Sequence, residues 1–211
     1  MCDKAFGKGP LGQSLYLLTY CLLARLSSII RPLSASPNSN VSPIPDQLCL
    51  HCGLCCNGVI FADVRLQPGD DPDRLRQLGL PLTRSRNRFQ FTQPCSALAG
   101  CVCSVYPERP AYCRHFECAL FKKVKAGTVT TARALRLIRK ARARVEKMKC
   151  LLRDLGDLDE NLALTIRYRR ISNRLAASRL DRRNSLLYAR LTQMYHQLNL
   201  LLARSFYPGD P

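Results

Sequence analysis

Four cysteines lie within eight residues in the segment Cys49-Leu50-His51-Cys52-Gly53-Leu54-Cys55-Cys56. Nine of the 12 cysteines in this 211-residue chain lie between Cys49 and Cys118, and three lie outside: Cys2, Cys21 and Cys150. Zinc and iron–sulfur centres need several deprotonated thiolates that converge on one point. The clustering therefore predicts one or two metal centres rather than ordinary core packing.

The spacing of these cysteines suits a metal. A Cys-x-x-Cys turn delivers two sulfurs from one tight loop, and here two such turns share Cys52. Adjacent side chains diverge, so Cys55 and Cys56 indicate either two centres or another role for Cys56. The predicted ligands are eight sulfurs, enough for two four-sulfur sites that the sequence does not partition: Cys49, Cys52, Cys55, Cys56, Cys95, Cys103, Cys113 and Cys118. In Cys101-Val102-Cys103 we predict Cys103 as the ligand and Cys101 as a spare thiol.

Other interpretations of the cysteines remain open. A disulfide framework is favoured if the protein is exported, although overlapping Cys-x-x-Cys units suit a metal better. Buried, reduced cysteines acting as small hydrophobes explain Cys21 or Cys150 but not the cluster. His51 and His115 lie among the cysteines, but eight sulfurs leave no need for them as ligands.

The order of these residues resembles a known family. The first half is Cys49-x2-Cys52-x2-Cys55-Cys56, and the second half is Cys95, Cys103-x2-Tyr106-x2-Arg109-Pro110-x2-Cys113-Arg114 and Cys118. Together they resemble the YkgJ-like cysteine-cluster family over residues 48–121, and Cys101 is an extra sulfur relative to that pattern. The resemblance implies zinc or iron chelation, and a similar arrangement in flagellin lysine methylases raises the option of an iron–sulfur cluster.

The residues between the last cysteines predict an outer shell around the metal. Two four-thiolate zinc sites would each carry a formal charge of about −2. The guanidinium groups of Arg109 and Arg114 could offset that charge and donate hydrogen bonds to sulfur. Pro110 is expected to stiffen the turn before Cys113. An arginine that grips an anionic substrate is the alternative for these residues.

The segment around the cysteines predicts short elements of both kinds. Residues 59–64 are rich in β-branched and aromatic side chains, which indicates a strand. Residues 73–78 predict a short helix capped by an aspartate, and residues 88–92 alternate as a second strand. The remainder up to Cys118 is loop-rich. A structural metal would help such a small domain to fold, because its binding free energy becomes folding free energy.

The second half of the chain is helical in pattern. A first seam repeats at spacings of four and three: Ala134, Ile138, Ala141, Val145, Met148, Leu152 and Leu155. Gly156 ends that helix, and Asp157 or Asp159 can cap the next one, from about 160 to 206. Its seam comprises Leu164, Tyr168, Ile171, Leu175, Leu187, Leu191, Met194, Leu198 and Leu201, with a break expected near Arg182-Arg183. A short turn between two helices predicts an antiparallel hairpin.

The formal net charge of +18, from 33 Lys and Arg against 15 Asp and Glu, predicts attraction to a polyanion such as nucleic acid or an acidic protein. The candidate cations on the helices are Arg133, Arg136, Arg139, Lys140, Arg142, Arg144, Arg167, Arg169, Arg170, Arg174, Arg182 and Arg183. The alternative is a solvated outer face, and no interleaved aromatic residues indicate single-strand stacking.

No motif for catalysis stands out, since the chain lacks a phosphate loop, a Gly-x-Ser-x-Gly elbow and a His-Glu-x-x-His helix. An iron–sulfur or zinc-dependent enzyme acting on a protein substrate therefore remains an alternative in which the metal carries the chemistry. The apolar run at residues 15–24 is too short to span a membrane, and no convincing signal cleavage site follows it. We expect a cytoplasmic protein.

These observations predict an α+β protein with three parts. Residues 1–46 form an N-terminal appendage and linker, residues 47–121 a small loop-rich cysteine-cluster domain that binds metal, and residues 122–207 a basic antiparallel helical hairpin. The predicted function is chelation of zinc or iron, including an iron–sulfur centre, in a structural or redox role. Metal identity, enzyme activity and oligomeric state stay open.

Overall fold

The computed structural model describes residues 46–177 and 181–207, which belong to one compact unit, Pro43–Pro211. The predictions for residues 1–45, together with Cys2 and Cys21, lie outside the described residues. The helices are α1 (Asp46–Cys52), α2 (Pro72–Gln77), α3 (Ala111–His115), α4 (Ala119–Lys125), α5 (Thr131–Asp154), α6 (Leu164–Ala176) and α7 (Arg182–Ser205). The strands are β1 (Asp63–Arg65), β2 (Thr83–Ser85), β3 (Arg88–Thr92), β4 (Leu98–Ala99) and β5 (Val102–Cys103). Helices with small antiparallel sheets confirm the α+β class.

A three-stranded antiparallel sheet follows the first cysteines, in the order β1-β3-β2. Strand β3 has the predicted bounds, and α2 lies within one residue of its prediction, with Asp71 capping its first N–H groups. The strand predicted over 59–64 instead begins at Asp63. The N–H of Ile60 donates to the carbonyl of Leu54, so residues before Asp63 fold back on the cysteine loop instead of extending.

Strand β2 was not predicted. It pairs with β3 through a tight turn in which Arg86 and Asn87 both have positive φ, 47° and 63°. A two-residue hairpin turn of this kind usually contains glycine, because glycine adopts positive φ without strain. Since Arg-Asn lacks that signal, the hairpin could not be recognised from the sequence.

Helices α5, α6 and α7 bury most of the residues that the periodicity predicted, while Tyr168, Leu187, Met194 and Leu201 are partly buried. The α5 seam from Ala134 to Leu152 is buried, and Gly156 follows the helix with a φ of 83°. The predicted second helix is two helices, since α6 ends at Ala176 and α7 begins at Arg182 behind the N-cap Asp181. The break thus lies where the register weakened. The antiparallel arrangement of the helices stays a prediction.

The cap predicted for the next helix is wrong. The N-cap of α6 is Ala163, and no side chain caps that helix. Asp157 is buried instead and accepts hydrogen bonds from Arg167 and Arg170. Two guanidinium groups from α6 therefore draw the carboxylate away from a cap and tie the α5–α6 turn to α6.

Two hydrophobic cores support the cysteine region. The larger joins Leu48, Leu54 and Val59 to the buried faces of α5, α6 and α7. The smaller contains Val64 and Phe91 of the three-stranded sheet and Leu75 of α2, together with Leu66, Leu80, Ala97 and Val105. The larger core has members on both sides of the predicted boundary at 121/122, and the three-part division itself stays a prediction. None of the helices in residues 46–177 and 181–207 is long and apolar enough to cross a membrane.

Candidate metal centre

The predicted ligands come from six different places in the fold. Cys49 and Cys52 lie on α1, and Cys55 and Cys56 in the turn that follows it. The second half supplies Cys95 after β3, Cys103 on β5, Cys113 on α3 and Cys118 at the N-cap of α4. All ten described cysteines are free thiols, so no disulfide joins them within residues 46–177 and 181–207.

One predominantly apolar cavity of about 110 Å³ brings most of these residues together. Seven of the eight predicted ligands line it, namely Cys49, Cys52, Cys55, Cys56, Cys103, Cys113 and Cys118. Cys95 does not line the cavity, but its N–H donates a 2.8 Å hydrogen bond to the carbonyl of Cys56. The two halves of the motif are therefore neighbours in the fold.

The cysteines divide according to the core on which they pack. Cys52 and Cys118 pack against the larger, helical core. Cys95, Cys103 and Cys113 pack against the smaller core beside the sheet. The cavity therefore has a helix side and a sheet side.

The electrostatic interactions of the thiols follow the same division for the most part. The pKa of Cys52 is raised from its ordinary 9.0 to about 12, mainly by burial and to a smaller extent by the neighbouring Cys118 and Cys49. Burial likewise raises the pKa of Cys56 to about 12, with smaller effects from Cys113, Cys95, Cys103 and Cys49. Each group of thiols thus lies close enough for its members to disfavour one another's ionisation.

The remaining thiols complete the two groups. Burial raises the pKa of Cys113 to about 12, and the nearby Cys95 and Cys103 add to the effect. The pKa of Cys55 is raised well above its usual range by burial, then by Cys52, Cys56, Cys118 and Cys49. Cys55 thus has most of its thiol neighbours on the helix side and meets the sheet side only through Cys56.

Backbone N–H groups already point at several sulfurs. The N–H of Phe121 donates to Cys118 Sγ at 3.4 Å, at the start of α4. Hydrogen bonds from the backbone at Leu54 and Ala97 lower the pKa values of Cys52 and Cys95, against the larger raising effect of burial. N–H donors of this kind stabilise thiolates and are typical of sulfur ligands in metal centres.

The predicted donor set is all sulfur, with backbone N–H donors beside several of the thiols, and zinc and iron both accept sulfur ligands. Residues 48–151 match the family model CxxCxxCC, described as "Putative zinc- or iron-chelating domain". This stretch is a CxxCxxCC domain. Searches of curated proteins and of solved structures found no match to the chain.

The CxxCxxCC domain extends beyond the cysteines into α5, and α5 contributes one arginine to the site. Arg142 donates hydrogen bonds to the carbonyl of His51 at 3.0 Å and to Cys101 Sγ at 2.6 Å. It also lowers the pKa of Cys52, although burial and the neighbouring thiols outweigh this effect. Sequence reasoning listed Arg142 among the candidate phosphate-binding cations. Its contact with the cysteine loop could not be recognised from the sequence, because that contact depends on tertiary packing.

Arg109 has the corresponding position on the sheet side. The guanidinium of Arg109 lies 3.5 Å from the centre of the Tyr106 ring. The side chain of Arg114 donates a hydrogen bond to the backbone carbonyl oxygen of Arg109. Its charge lowers the pKa of Cys113 against the larger effects of burial and the neighbouring thiols. Arg109 thus lies where an outer-shell cation was predicted, while Arg114 acts on the Arg109 backbone.

Aromatic rings line one wall of the cavity. Phe61 contacts Tyr112 and Phe116 edge to face, with ring centres 5.5 Å and 4.7 Å apart. Burial raises the pKa of Tyr112, and the nearby Cys55 and Cys113 raise it to a smaller extent. Tyr112 therefore lies near both groups of thiols.

Gln93 is a buried polar residue in the same cavity. Its side chain is 2% exposed, and its Oε1 atom has no hydrogen-bond partner among the described residues. The backbone N–H of Gln93 donates to Ala62, which fixes the residue at the end of β3. Sequence reasoning missed this buried amide, because a glutamine in the sequence gives no indication of a metal ligand.

Three further observations define the site. His51 and His115 are exposed and do not line the cavity. Gly53 has a φ of 65°, as expected for a loop that curls between cysteines. Within residues 46–177 and 181–207, no group of three or more His, Cys, Asp or Glu side chains is arranged so that it could hold a metal ion. The eight ligands thus stay a prediction, with a shared cavity as their structural setting.

Proposed function

We propose that this chain binds metal in two four-cysteine centres. The helix-side centre consists of Cys49, Cys52, Cys55 and Cys118, and the sheet-side centre consists of Cys56, Cys95, Cys103 and Cys113. The observation that carries the proposal is the single cavity lined by seven of these eight residues. The family description as zinc- or iron-chelating agrees with it.

The partition rests on packing and on electrostatics together. Cys52 and Cys118 pack on one core and Cys95, Cys103 and Cys113 on the other. Most of the thiols that raise one another's pKa fall into the same sets, while Cys49 also raises the pKa of Cys56 and Cys56 that of Cys55. This division also accounts for the adjacent Cys55 and Cys56, whose diverging side chains would each serve a different centre.

Assembly of the centres requires small movements. Rotation about the Cα–Cβ bond moves a cysteine sulfur between staggered positions without displacing the backbone. The backbone contacts that bring the two halves together, such as Cys95 to Cys56, would be kept during such rotations. Metal binding would also release protons, because burial keeps these thiols protonated at neutral pH.

Each centre has one arginine close enough to reduce its negative charge. Arg142 lowers the pKa of Cys52 on the helix side, and Arg109 that of Cys113 on the sheet side. A four-thiolate centre carries excess negative charge, and two such centres side by side would repel each other. One guanidinium beside each set of thiols therefore favours the binding of metal in both centres at the same time.

The position of the centres favours a structural role. The short segment from Leu48 to Val59 contributes to the helical core and supplies sulfurs to both sets. Metal bound there would connect that segment to the sheet and to α4. Zinc is the usual ion for such a role, while the same ligands accept an iron–sulfur cluster for a redox role. Free cysteines agree with a reducing cytoplasm as the location.

The test is elemental analysis with a visible spectrum, on full-length protein purified without air. Two zinc ions per colourless chain, or a brown protein with equal iron and sulfide in the amount of two clusters per chain, would support two centres and identify the metal. One metal ion or cluster per chain would contradict the partition. A folded protein without stoichiometric metal would contradict the function itself.

A further inference from the structure

Helix α5 exposes a row of cations that have no partner among the described residues. The row comprises Arg133, Arg136, Lys140 and Lys147, all exposed, with Arg139 beside it. None of their side chains forms a hydrogen bond, ion pair or ring contact with any described residue. We call Arg133, Arg136, Lys140 and Lys147 the α5 stripe.

Several other predicted cations serve the fold instead. Arg144 donates to the carbonyl of Gln197 at 2.9 Å, and Arg167 is buried against Asp157. Arg170 pairs with Asp157 and Arg174 donates to the carbonyl of Leu155. These groups are already satisfied within the protein, so they are excluded from a binding surface. The structure therefore narrows the basic surface to fewer side chains than the sequence suggested.

The geometry of the α5 stripe is regular. Its members are separated by three, four and seven residues, which places them on one side of an α-helix. The buried seam through Ala134 and Ile138 faces the opposite side. At 1.5 Å per residue the stripe is about 21 Å long. Glu146 is the one acidic residue between positions 131 and 147, and it pairs with Lys149 at 3.1 Å.

The surroundings of the stripe favour nucleic acid over a membrane. Helices that bind membrane surfaces insert large apolar side chains beside their cations. Among the described residues the exposed large hydrophobic side chains are Leu50, Val102, Tyr112, Leu158, Leu186 and Leu200, and none lies on α5. The stripe also lacks aromatic residues on which single-stranded bases could stack. What remains is a row of charges suited to a phosphate backbone.

We propose that the α5 stripe binds the phosphate backbone of duplex nucleic acid, without preference for base sequence. A length of about 21 Å corresponds to about six base-pair rises, and B-form DNA presents one charge per 1.7 Å of axis. The contacts would be electrostatic and would release counterions, so affinity would fall steeply with salt. This inference does not depend on which metal the cysteines bind.

The experiment measures binding of the metal-loaded full chain to a fluorescent DNA duplex of about 20 base pairs across a series of salt concentrations. The stripe variant carries Arg133→Gln, Arg136→Gln, Lys140→Gln and Lys147→Gln. If all four side chains contact phosphate, the slope of log affinity against log salt becomes shallower by about 3.6. The factor by which affinity falls between 50 mM and 200 mM salt is then about a hundredfold smaller for the stripe variant than for the wild-type chain.

A matched control removes the same number of charges from α7 through Arg182→Gln, Arg183→Gln, Arg190→Gln and Arg204→Gln. These side chains are exposed, so both variants should keep the wild-type circular dichroism spectrum and melting temperature. A control variant that keeps the wild-type slope supports a local surface. Equal losses in both variants would overturn the proposal, because net charge alone would then explain binding.

Two further outcomes would also overturn it. One is the absence of duplex binding by the wild-type chain at physiological salt. The other is binding to vesicles of anionic phospholipid that is as tight as binding to the duplex and equally reduced in the stripe variant, which would assign the stripe to a membrane surface. If the glutamine variant failed to fold, Lys replacements at Arg133 and Arg136 would keep the charge and should leave the slope unchanged.

Discussion

The backbone N–H of Cys95 donates a 2.8 Å hydrogen bond to the carbonyl oxygen of Cys56. These two residues belong to the two separate halves of the cysteine motif, and the bond joins their main chains without using either thiol. Both sulfurs are left available for a shared ion. The pKa of Cys56 is raised by burial and then by Cys113, Cys95 and Cys103, so this contact lies within the sheet-side set.

Two single substitutions should each remove one centre. With Cys113→Ser the sheet-side centre loses a ligand, and with Cys52→Ser the helix-side centre does, so each variant should retain about half of the wild-type metal. The double variant should retain almost none. Metal content by elemental analysis, measured beside circular dichroism, checks this outcome.

Cys150→Ser is the control for that series, since Cys150 lies on α5 and accepts a hydrogen bond from Arg153. It should keep the full metal content. A Cys113→Ser protein with full metal and an unchanged fold would show that the sheet-side set is wrong. Complete loss of metal in either single variant would instead indicate one centre with shared ligands.

Cys101 should be dispensable for metal in spite of its position. It lines the cavity, but its sulfur accepts a 2.6 Å hydrogen bond from Arg142, which also holds the carbonyl of His51. Cys101→Ser keeps an acceptor for Arg142 and should retain full metal content, whereas Cys103→Ser should lose about half. The reverse result would exchange the roles of these two cysteines.

Much of the fold follows from local patterns in the sequence. The α5 seam from Ala134 to Leu152 has one periodicity and needs only its own spacing to be recognised. Strand β3 alternates clearly, and its partner β2 was missed because the turn at Arg86 and Asn87 lacks glycine. Local sequence patterns therefore predicted the helices and strands whose buried residues recur at a regular spacing. They failed for elements whose formation depends on tertiary contacts.

The site shows the same limit. The eight cysteines were predicted from spacing, but the proposed division into two sets depends on the cores against which five of them pack. Gln93 and Arg142 could not have been identified, since Gln93 lines the cavity and Arg142 contacts His51 and Cys101 only through tertiary packing. Asp157 was expected to cap a helix. Its ion pair with Arg167 could not be foreseen, because that pair depends on burial, which residue spacing does not reveal.

Asp157→Asn should destabilise the protein strongly. Asp157 and Arg167 are 1% and 2% exposed and lie 2.5 Å apart, and Arg170 shares the same carboxylate. Removing the charge leaves a buried guanidinium without its counter-ion, which costs about 3–5 kcal/mol. Urea denaturation measures the free energy of unfolding. Asp159→Asn, which breaks only a half-exposed pair with Arg170, should cost less than about 1 kcal/mol.

The metal-free protein should lose stability as the pH rises from 9 to 12. Burial raises the pKa values of Cys52, Cys56 and Cys113 from 9.0 to about 12, so the folded chain holds these protons after the unfolded chain has released them. Stability is therefore complete below pH 9 and falls as the pH approaches 12. Unfolding of chelator-treated protein, followed at several pH values, measures this decline.

The triple variant Cys52→Ser, Cys56→Ser and Cys113→Ser is the control for that pH range, since it lacks the three thiols and should show a smaller decline. The metal-loaded protein should show the opposite dependence. Its ligands are thiolates, so acidification returns protons to them and releases the metal. Stability of the chelator-treated protein that is constant from pH 9 to 12 would mean that these thiols are exposed in solution.

Gln93→Met should stabilise the metal-free protein. The replacement keeps the length of the side chain but removes Oε1, a buried acceptor with no partner among the described residues. An unsatisfied buried polar group costs about 1–3 kcal/mol, and part of that cost should be recovered in the variant. Gln93→Glu should have the opposite effect, because it places a charge in an apolar cavity lined by thiols. Urea denaturation of chelator-treated proteins compares the three. A Met variant less stable than wild type would show that the amide is hydrogen-bonded in solution, and that it contributes to the fold of the cavity.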